Sequence, residues 1–526
     1  TPLLDSTENL LKILAQVNKY TGPLEANDPA TADELNYIAK KTTGKVTATL
    51  DPATTIDAVT VAALKDVKTT DNITFKPAGA LTVSGTSGLT ALINLKKLLP
   101  NADFTGIDTI LGTQSDVALI KSAQKLAADD ADVTITGQIS AADANAIAKA
   151  TDGALIAEIK SGSVAATLKA LADVNKTDDD ITFTTTDKSV NARDLVELNG
   201  KIKNSANFDV TSIETITENA KDVGANAVNV TKALLIAVDA DVKITGSISA
   251  TIANLIALDT NGVVTATIAA GTAADLNTAL AAAGVNAYTI ILAAGTAAAK
   301  DLTDLDAKTS VNVKAEDVTL ITGTFAEVNA ALSAGGIDTA ADVAATLSGT
   351  VSAANADAVA DLTTGKVTAT VTADTAAALN GALTDTNENA YTLTVNNAAG
   401  AAAAATDLNA LDGKSVKVKV DAVEVSGNYA DLEKVYVTNK AGFANLGDEK
   451  VTITGGSVTA DKVNVIAKAT KGEVKAIVTA NTADVLVANL KDATATDALG
   501  LTVDGASAKA ADLNTLDGKT SEDIIV

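Results

Sequence analysis

The stretch VTITGQISAADANAIAKATDGALIAEI at 133–159 comes back four more times in degenerate form, and a chain that repeats itself is restricted to folds that repeat. Its helix and exit recur as ADELNYIAKKTTGKVTATL (32–50), ATIANLIALDTNGVVTATI (250–268), AANADAVADLTTGKVTATV (353–371) and ADKVNVIAKATKGEVKAIV (460–478). The shared glycines Gly44, Gly153, Gly262, Gly365 and Gly472 follow one another at intervals of 109, 109, 103 and 107 in the numbering. The repeat is therefore long, with a period of roughly 107. Inside one copy, Val133 and Ile135 alternate with Thr134 and Thr136, the pattern of a half-buried strand. Gly137 turns the chain, Ile139, Ala142, Ala146, Ile147 and Ala150 recur at helical spacing, and Gly153 reads as the helix stop.

Each long repeat holds four strand classes. In the second repeat they are VTITG (133–137), LIAEI (155–159), ITFTT (181–185) and IETIT (213–217), and the first class returns as VKITG at Val242, giving steps of 22, 26, 32 and 29 along the chain. Ala-rich, Asn/Asp-punctuated segments such as 164–174 and 191–202 fill the gaps as helices. A strand, a helix and another strand at this spacing imply parallel pairing. The expected fold is α/β: a solenoid of about twenty strand-helix turns with one continuous parallel sheet, four turns to each long repeat. The LxxLxLxxN signature of leucine-rich repeats is absent, and about twenty strands are too many for one eight-stranded barrel. The expected organisation is a single array over 1–526, with long repeats at about 1–132, 133–241, 242–345, 346–450 and 451–526.

Composition narrows the function classes. Hydrophobic residues make up 47% of the chain and aromatics 2%, with no Trp, Met, Cys or His, so the core is built from Val, Ile, Leu and Ala. An aromatic-lined small-molecule pocket does not fit that inventory. A net charge of -25 argues against nucleic acid and anionic membrane surfaces as partners. Without Cys or His there is no disulfide, Ser-His-Asp triad, Cys-His pair or zinc finger. No phosphate-binding glycine loop occurs either, so the expectation is a protein that is not an enzyme. No apolar run is long enough for a membrane span, and Thr1-Pro2-Leu3 does not open a signal peptide.

The two ends carry complementary phases of the repeat. Residues 6–17, with Ser6 as N-cap and Asn9 where a capping box would have Glu or Gln, align with 115–126. Residues 510–526 match 406–420. Thr1, Pro2, Leu3 and Leu4 at one end and Ile524, Ile525 and Val526 at the other are the expected assembly edges, joining copies head to tail.

Two residue classes are candidate ligand sites. Asp129, Asp130, Asp132, Asp178, Asp179, Asp180, Asp239 and Asp241 cluster before strands and offer the hard oxygen donors that Ca²⁺ takes, although neither EF-hand spacing nor a GGxGxD repeat is present. Thr47, Thr49, Thr134, Thr136, Thr265, Thr267, Thr368 and Thr370 fall on the face opposite the apolar residues and would form ladders able to meet a glycan or an ice lattice. β-Branched Thr is also simply a favoured solvent-face strand residue.

The wording of LNALDGKSV (408–416), LNTLDGKTS (513–521), LDAKTSVNVKAEDVTLITGTFAEVNAAL (305–332) and ANLGDEKVTIT (444–454) resembles the degenerate repeats of giant cell-surface proteins of marine unicellular cyanobacteria. The resemblance covers most of the chain and implies a surface-layer, motility-associated or adhesin-like role outside a bacterial cell. No anchoring or calcium-repeat module of such proteins is recognisable. The combined expectation is an extracellular structural protein that self-assembles into a filament, sheath or surface layer, with no resident cofactor. The alternative is a surface-binding module that uses the threonine face.

Overall fold

The computed structural model describes residues 1–526 apart from 176, 283, 386–387 and 398–400. The described residues form a mixed α/β chain with 21 α-helices and six separate sheets of two to seven strands, in which every strand pair described is parallel. Two compact units are distinguished: Thr1–Gly246 with Leu255–Thr265, and Ser247–Asn254 with Ala266–Val526.

In the first unit a four-stranded sheet runs Leu3–Asp5, Leu24–Ala30, Val46–Leu50, Asn72–Thr74. A six-stranded sheet follows in the order Phe208–Asp209, Asp180–Thr185, Leu155–Gly162, Asp132–Ile139, Ile107–Thr113, Leu81–Ser84. Ser189–Asn191 opens a further sheet by pairing with Thr215–Asn219, which pairs with Asp241–Ile248. The second unit holds a seven-stranded sheet from Gly295–Ala298 to Phe443–Ala444, a pair formed by Val313–Ala315 and Ile337–Thr339, and a five-stranded sheet from Ala403–Ala404 to Ala498–Gly500.

The expectation of a solenoid with one continuous sheet is overturned by these six sheets. The long repeat itself sets the breaks. Four of the later sheets open at Leu81, Ser189, Gly295 and Ala403, each about one long repeat beyond the last, and only the pair of Val313–Ala315 with Ile337–Thr339 lies outside that series among the described residues. At each of these places the third strand class is followed by a further short strand that the sequence reading did not include, and the two join different sheets. After Asn72–Thr74, Pro77 has no N–H to give a ladder and Gly79 takes φ +73, so the chain turns before Leu81–Ser84. After Asp180–Thr185, the Thr185 hydroxyl accepts the Asp187 amide at 3.1 Å and diverts the chain into Ser189–Asn191. Gly295, with φ +134, opens the next sheet from a conformation that favours glycine.

Local structure follows the residues. In Val46–Leu50 the buried positions are Val46, Ala48 and Leu50, while Thr47 and Thr49 face away. The helix Ala141–Ala148 starts where Ser140 accepts the Asp143 amide at 3.1 Å, and it buries Ala144, Ile147 and Ala148. Ser6 caps Thr7–Ala15 by accepting the Asn9 amide at 3.3 Å. Thr31 and Glu34 complete a full capping box on Ala32–Lys41. The largest fully buried side chains include Tyr391, Tyr436, Phe75, Phe104 and Phe183, so these few aromatics sit in the core.

Candidate functional site

Polar side chains inside this fold are used to tie one strand-helix segment to the one before it. The clearest instance is a Thr-x-Gly motif between the helix and the exit strand of each copy of the repeat. Thr42, Thr151, Thr260, Thr363 and Thr470 each accept the amide of the glycine two residues on, at 2.9 to 3.0 Å. Each hydroxyl also donates to a carbonyl of the preceding segment: Gly22, Ala131, Ala240, Val343 and Glu449, at 2.8, 2.6, 2.8, 2.6 and 3.3 Å. The glycines are required by proximity. A Cβ on Gly44, Gly153, Gly262, Gly365 or Gly472 would stand 2.2, 2.3, 2.6, 2.3 or 2.0 Å from a carbonyl oxygen of that segment. They were expected to stop helices; instead they let two backbones touch.

A second tie recurs one segment later. Asp71, Asp179, Asn389 and Asp497 are buried, at 4, 4, 5 and 3% exposure, and Asn286 holds the equivalent place at 6%. The Oδ1 atoms of the first four accept the amides of Val46, Leu155, Val367 and Val474 at 2.9, 2.9, 2.8 and 2.7 Å. The second oxygen of Asp71, Asp179 and Asp497 accepts the amide of Lys68, Asn175 and Thr494. A carboxylate taken out of water is stabilised by such amide donors.

These ties account for much of the acidic punctuation expected to take Ca²⁺. Asp132 and Asp241 accept the amides of Ala154 and Val263 at 2.8 and 2.7 Å. Asp178, Asp180 and Asp239 accept from the side-chain amides of Asn175, Asn207 and Asn261. Asp129 contributes its carbonyl, which accepts the Asp152 amide at 2.6 Å, and its neighbour Asp130 is exposed. Among the described residues, no three His, Cys, Asp or Glu side chains group so as to hold a metal ion.

The eight candidate threonines all lie on the solvent side of their strands, exposed or half-buried. In the second unit they belong to longer rows. Thr322, Thr346 and Thr368 stand side by side on three neighbouring strands, as do Thr350, Thr370 and Thr392. Neighbouring strands are about 4.8 Å apart and alternate residues about 6.7 Å, so these rows form a small hydroxyl grid. In the first unit Thr47 stands beside Asn72, Thr49 meets Thr74 with 3.0 Å between hydroxyl oxygens, and Thr136 stands beside Thr113. Thr134 has Leu111 and Ile156 as its strand neighbours. Thr265 and Thr267 lie on Val264–Ile268, the first exposed and the second half-buried.

The candidate edges are placed as follows. Thr1 and Pro2 are exposed, Leu3 donates its amide to Pro23 at 3.0 Å, and Leu4 is 55% exposed on the edge strand Leu3–Asp5. Ile525 bonds through its backbone to Leu501 and Val503 at 3.0 and 2.8 Å. Its side chain is 65% exposed and that of Val526 78%, while Ile524 is half-buried.

Charge around the surface is carried by local pairs. The Thr105 hydroxyl and amide, with Lys76 at 3.3 Å, bring the Asp103 carboxyl down to about 2 from its ordinary 3.8. The Lys121 ammonium and the Ser140 hydroxyl lower Asp143 in the same sense. Among the described residues no helix is long and apolar enough to cross a membrane. No protein-family model matches the chain, and no curated protein matches it at a significant level.

Sequence reading missed both ties, although the triplets TTG, TDG, TNG, TTG and TKG are visible in the five copies. Their constant spacing was the available signal.

Proposed function

We propose that this chain is a structural building element of extracellular, cell-surface material, and that it works by associating with copies of itself. The observation that carries this reading is the Thr-x-Gly tie, present in all five repeats with the same donor and acceptor scheme. Buried hydroxyls and carboxylates are satisfied by backbone amides and carbonyls of the same chain, so they hold its segments together. The acidic surface, with a net charge of -25, keeps such material soluble before it assembles. Electron microscopy of the concentrated chain tests the reading: filaments or layers are expected, and separate particles of single-chain size would reject it.

A second reading, a binding module for glycans or ice, is favoured by the paired threonine rows through Thr346, Thr368, Thr370 and Thr392. Glycan-array binding or inhibition of ice recrystallisation that disappears in Thr368→Asn/Thr370→Asn would select it. Activity absent in the parent chain removes it.

A further inference from the structure

In the second unit Asn277 lies on the helix Ala273–Ala279, and Lys308 follows the helix Ala299–Asp306 by two residues. Both side chains are half-buried. The Lys308 ammonium donates to the side-chain carbonyl oxygen of Asn277 and to its backbone carbonyl, both at 2.7 Å. With a C=O bond of about 1.2 Å, the side-chain carbonyl carbon is within about 4 Å of Lys308 Nζ. Two carboxylates hold the other end of the same carboxamide: Asn277 Nδ2 donates to Asp301 at 3.0 Å and to Asp304 at 3.3 Å. An amine thus sits on the carbonyl side of Asn277 and proton acceptors sit on its nitrogen side. Burial pushes the Lys308 ammonium down from its ordinary value, against the pull of the Asp304 and Asp301 charges, which favours the neutral amine that can attack. The corresponding lysines elsewhere show the purely structural use. Lys201 donates to the Ala172 and Val174 carbonyls, Lys414 to that of Leu383 and Lys519 to that of Lys491. The copy nearest in sequence has Asn380 on Asp407 at 3.1 Å, but its Lys414 takes a backbone carbonyl and Ala410 stands where Asp304 would be. Of these four lysines, only Lys308 also reaches a carboxamide.

We propose that Lys308 and Asn277 join through a side-chain amide bond that the folded chain makes on itself. The Lys308 nitrogen attacks the Asn277 side-chain carbonyl carbon, a bond forms between them, and the bond from that carbon to Nδ2 breaks. Of the three protons on the ammonium, one stays on the new amide nitrogen and two pass to Nδ2, which departs as ammonium, so no oxidant or other reagent is consumed. As the two nitrogens come to share one carbon, the carboxylates already bonded to Nδ2 come within reach of both, and Asp301, the closer, relays the protons with Asp304 beside it. Holding amine and carbonyl in contact replaces an encounter that is very slow in solution. The bond ties one helix covalently to the exit of the next, and it stands independently of self-association.

The test is a tryptic digest of the purified full chain, incubated at neutral pH and read by mass spectrometry. Trypsin cuts after Lys243, Lys300 and Lys314, and the bond blocks the cut at Lys308, so 244–300 and 301–314 should appear as one branched peptide lighter than their sum by one ammonia. Ring closure at an Asn-Gly step loses the same mass but leaves the two peptides separate, and that result counts against the bond. Lys308→Arg keeps the charge on a guanidinium that stays protonated, and Asn277→Ala removes the carbonyl; both should give separate peptides of full mass. Asp301→Asn/Asp304→Asn should leave most of the chain unlinked. Separate peptides in the parent overturn the proposal whatever the variants do, and so does a branched peptide that survives Lys308→Arg. A double variant that links as fully as the parent overturns the relay by Asp301 and Asp304.

Discussion

The Asp179 carboxylate and the Leu155 amide, 24 positions apart, are 2.9 Å from each other, and the same carboxylate takes the Asn175 amide at 2.7 Å. One buried side chain thus fixes where a strand starts and how the next segment turns. Asp179→Ala leaves two amides without their acceptor and should lower stability by about 2–4 kcal/mol. Asp179→Asn keeps the acceptor for the Leu155 amide, as Asn389 does for Val367, but turns an NH2 group toward the Asn175 amide, and should cost about 1–3 kcal/mol, less than alanine. Urea unfolding followed by circular dichroism measures both.

Gly153→Ala would put a methyl 2.3 Å from the Asp130 carbonyl oxygen. The backbones must then part, and a loss of about 1–3 kcal/mol is expected. Gly200→Ala, with open space around it, serves as the control and should leave stability unchanged or slightly higher. Thermal unfolding of the pair measures the contrast.

Thr151 and Thr134, both close to the same strand, should behave oppositely. Thr151→Val removes the hydroxyl that accepts from Gly153 and donates to Ala131 and Asp129, and should cost about 2 kcal/mol. Thr134→Val changes a half-buried residue on the outer strand face and should fall within about 0.5 kcal/mol of the parent. Denaturant midpoints of the two variants decide it.

Asp103 predicts a pH dependence. Its carboxyl titrates at about 2 in the folded chain because the Thr105 hydroxyl and amide, and then Lys76, favour the charged form. A depressed folded value means the stabilisation is complete above the unfolded carboxyl range, near pH 4, and fades as pH falls toward 2. A carboxyl-carbon NMR titration should place the Asp103 midpoint near 2, and Thr105→Val should move it up toward the ordinary value.

Much of the repeat was legible because its residues obey local rules. Val133 and Ile135 alternate with threonines and become a strand, and Ser6 caps Thr7–Ala15, but the strand runs on through Gly137 to Ile139, and the helix Ala141–Ala148 leaves out both Ile139 and Ala150, which were read into it. The sheet breaks were not legible, since the third class was read as ITFTT alone and the strand Ser189–Asn191 that opens the next sheet is too short to show an alternation. The role of the glycines was misread for a similar reason: Gly153 follows a helix, as a stop would, but the carbonyl it lies against belongs to the segment before that helix. The acidic residues suggested an ion because composition alone does not show that Asp132, Asp179 and Asp241 accept backbone amides. The threonine face was readable from period 2, yet its longest rows draw on Thr322, Thr346, Thr350 and Thr392, whose alignment depends on register between strands.

Sedimentation velocity of the unmodified chain from low to high micromolar concentration addresses self-association most directly. A weight-average coefficient that climbs with concentration is expected, as species larger than one 52.6 kDa chain accumulate. A single boundary at the single-chain mass across the whole series would contradict it.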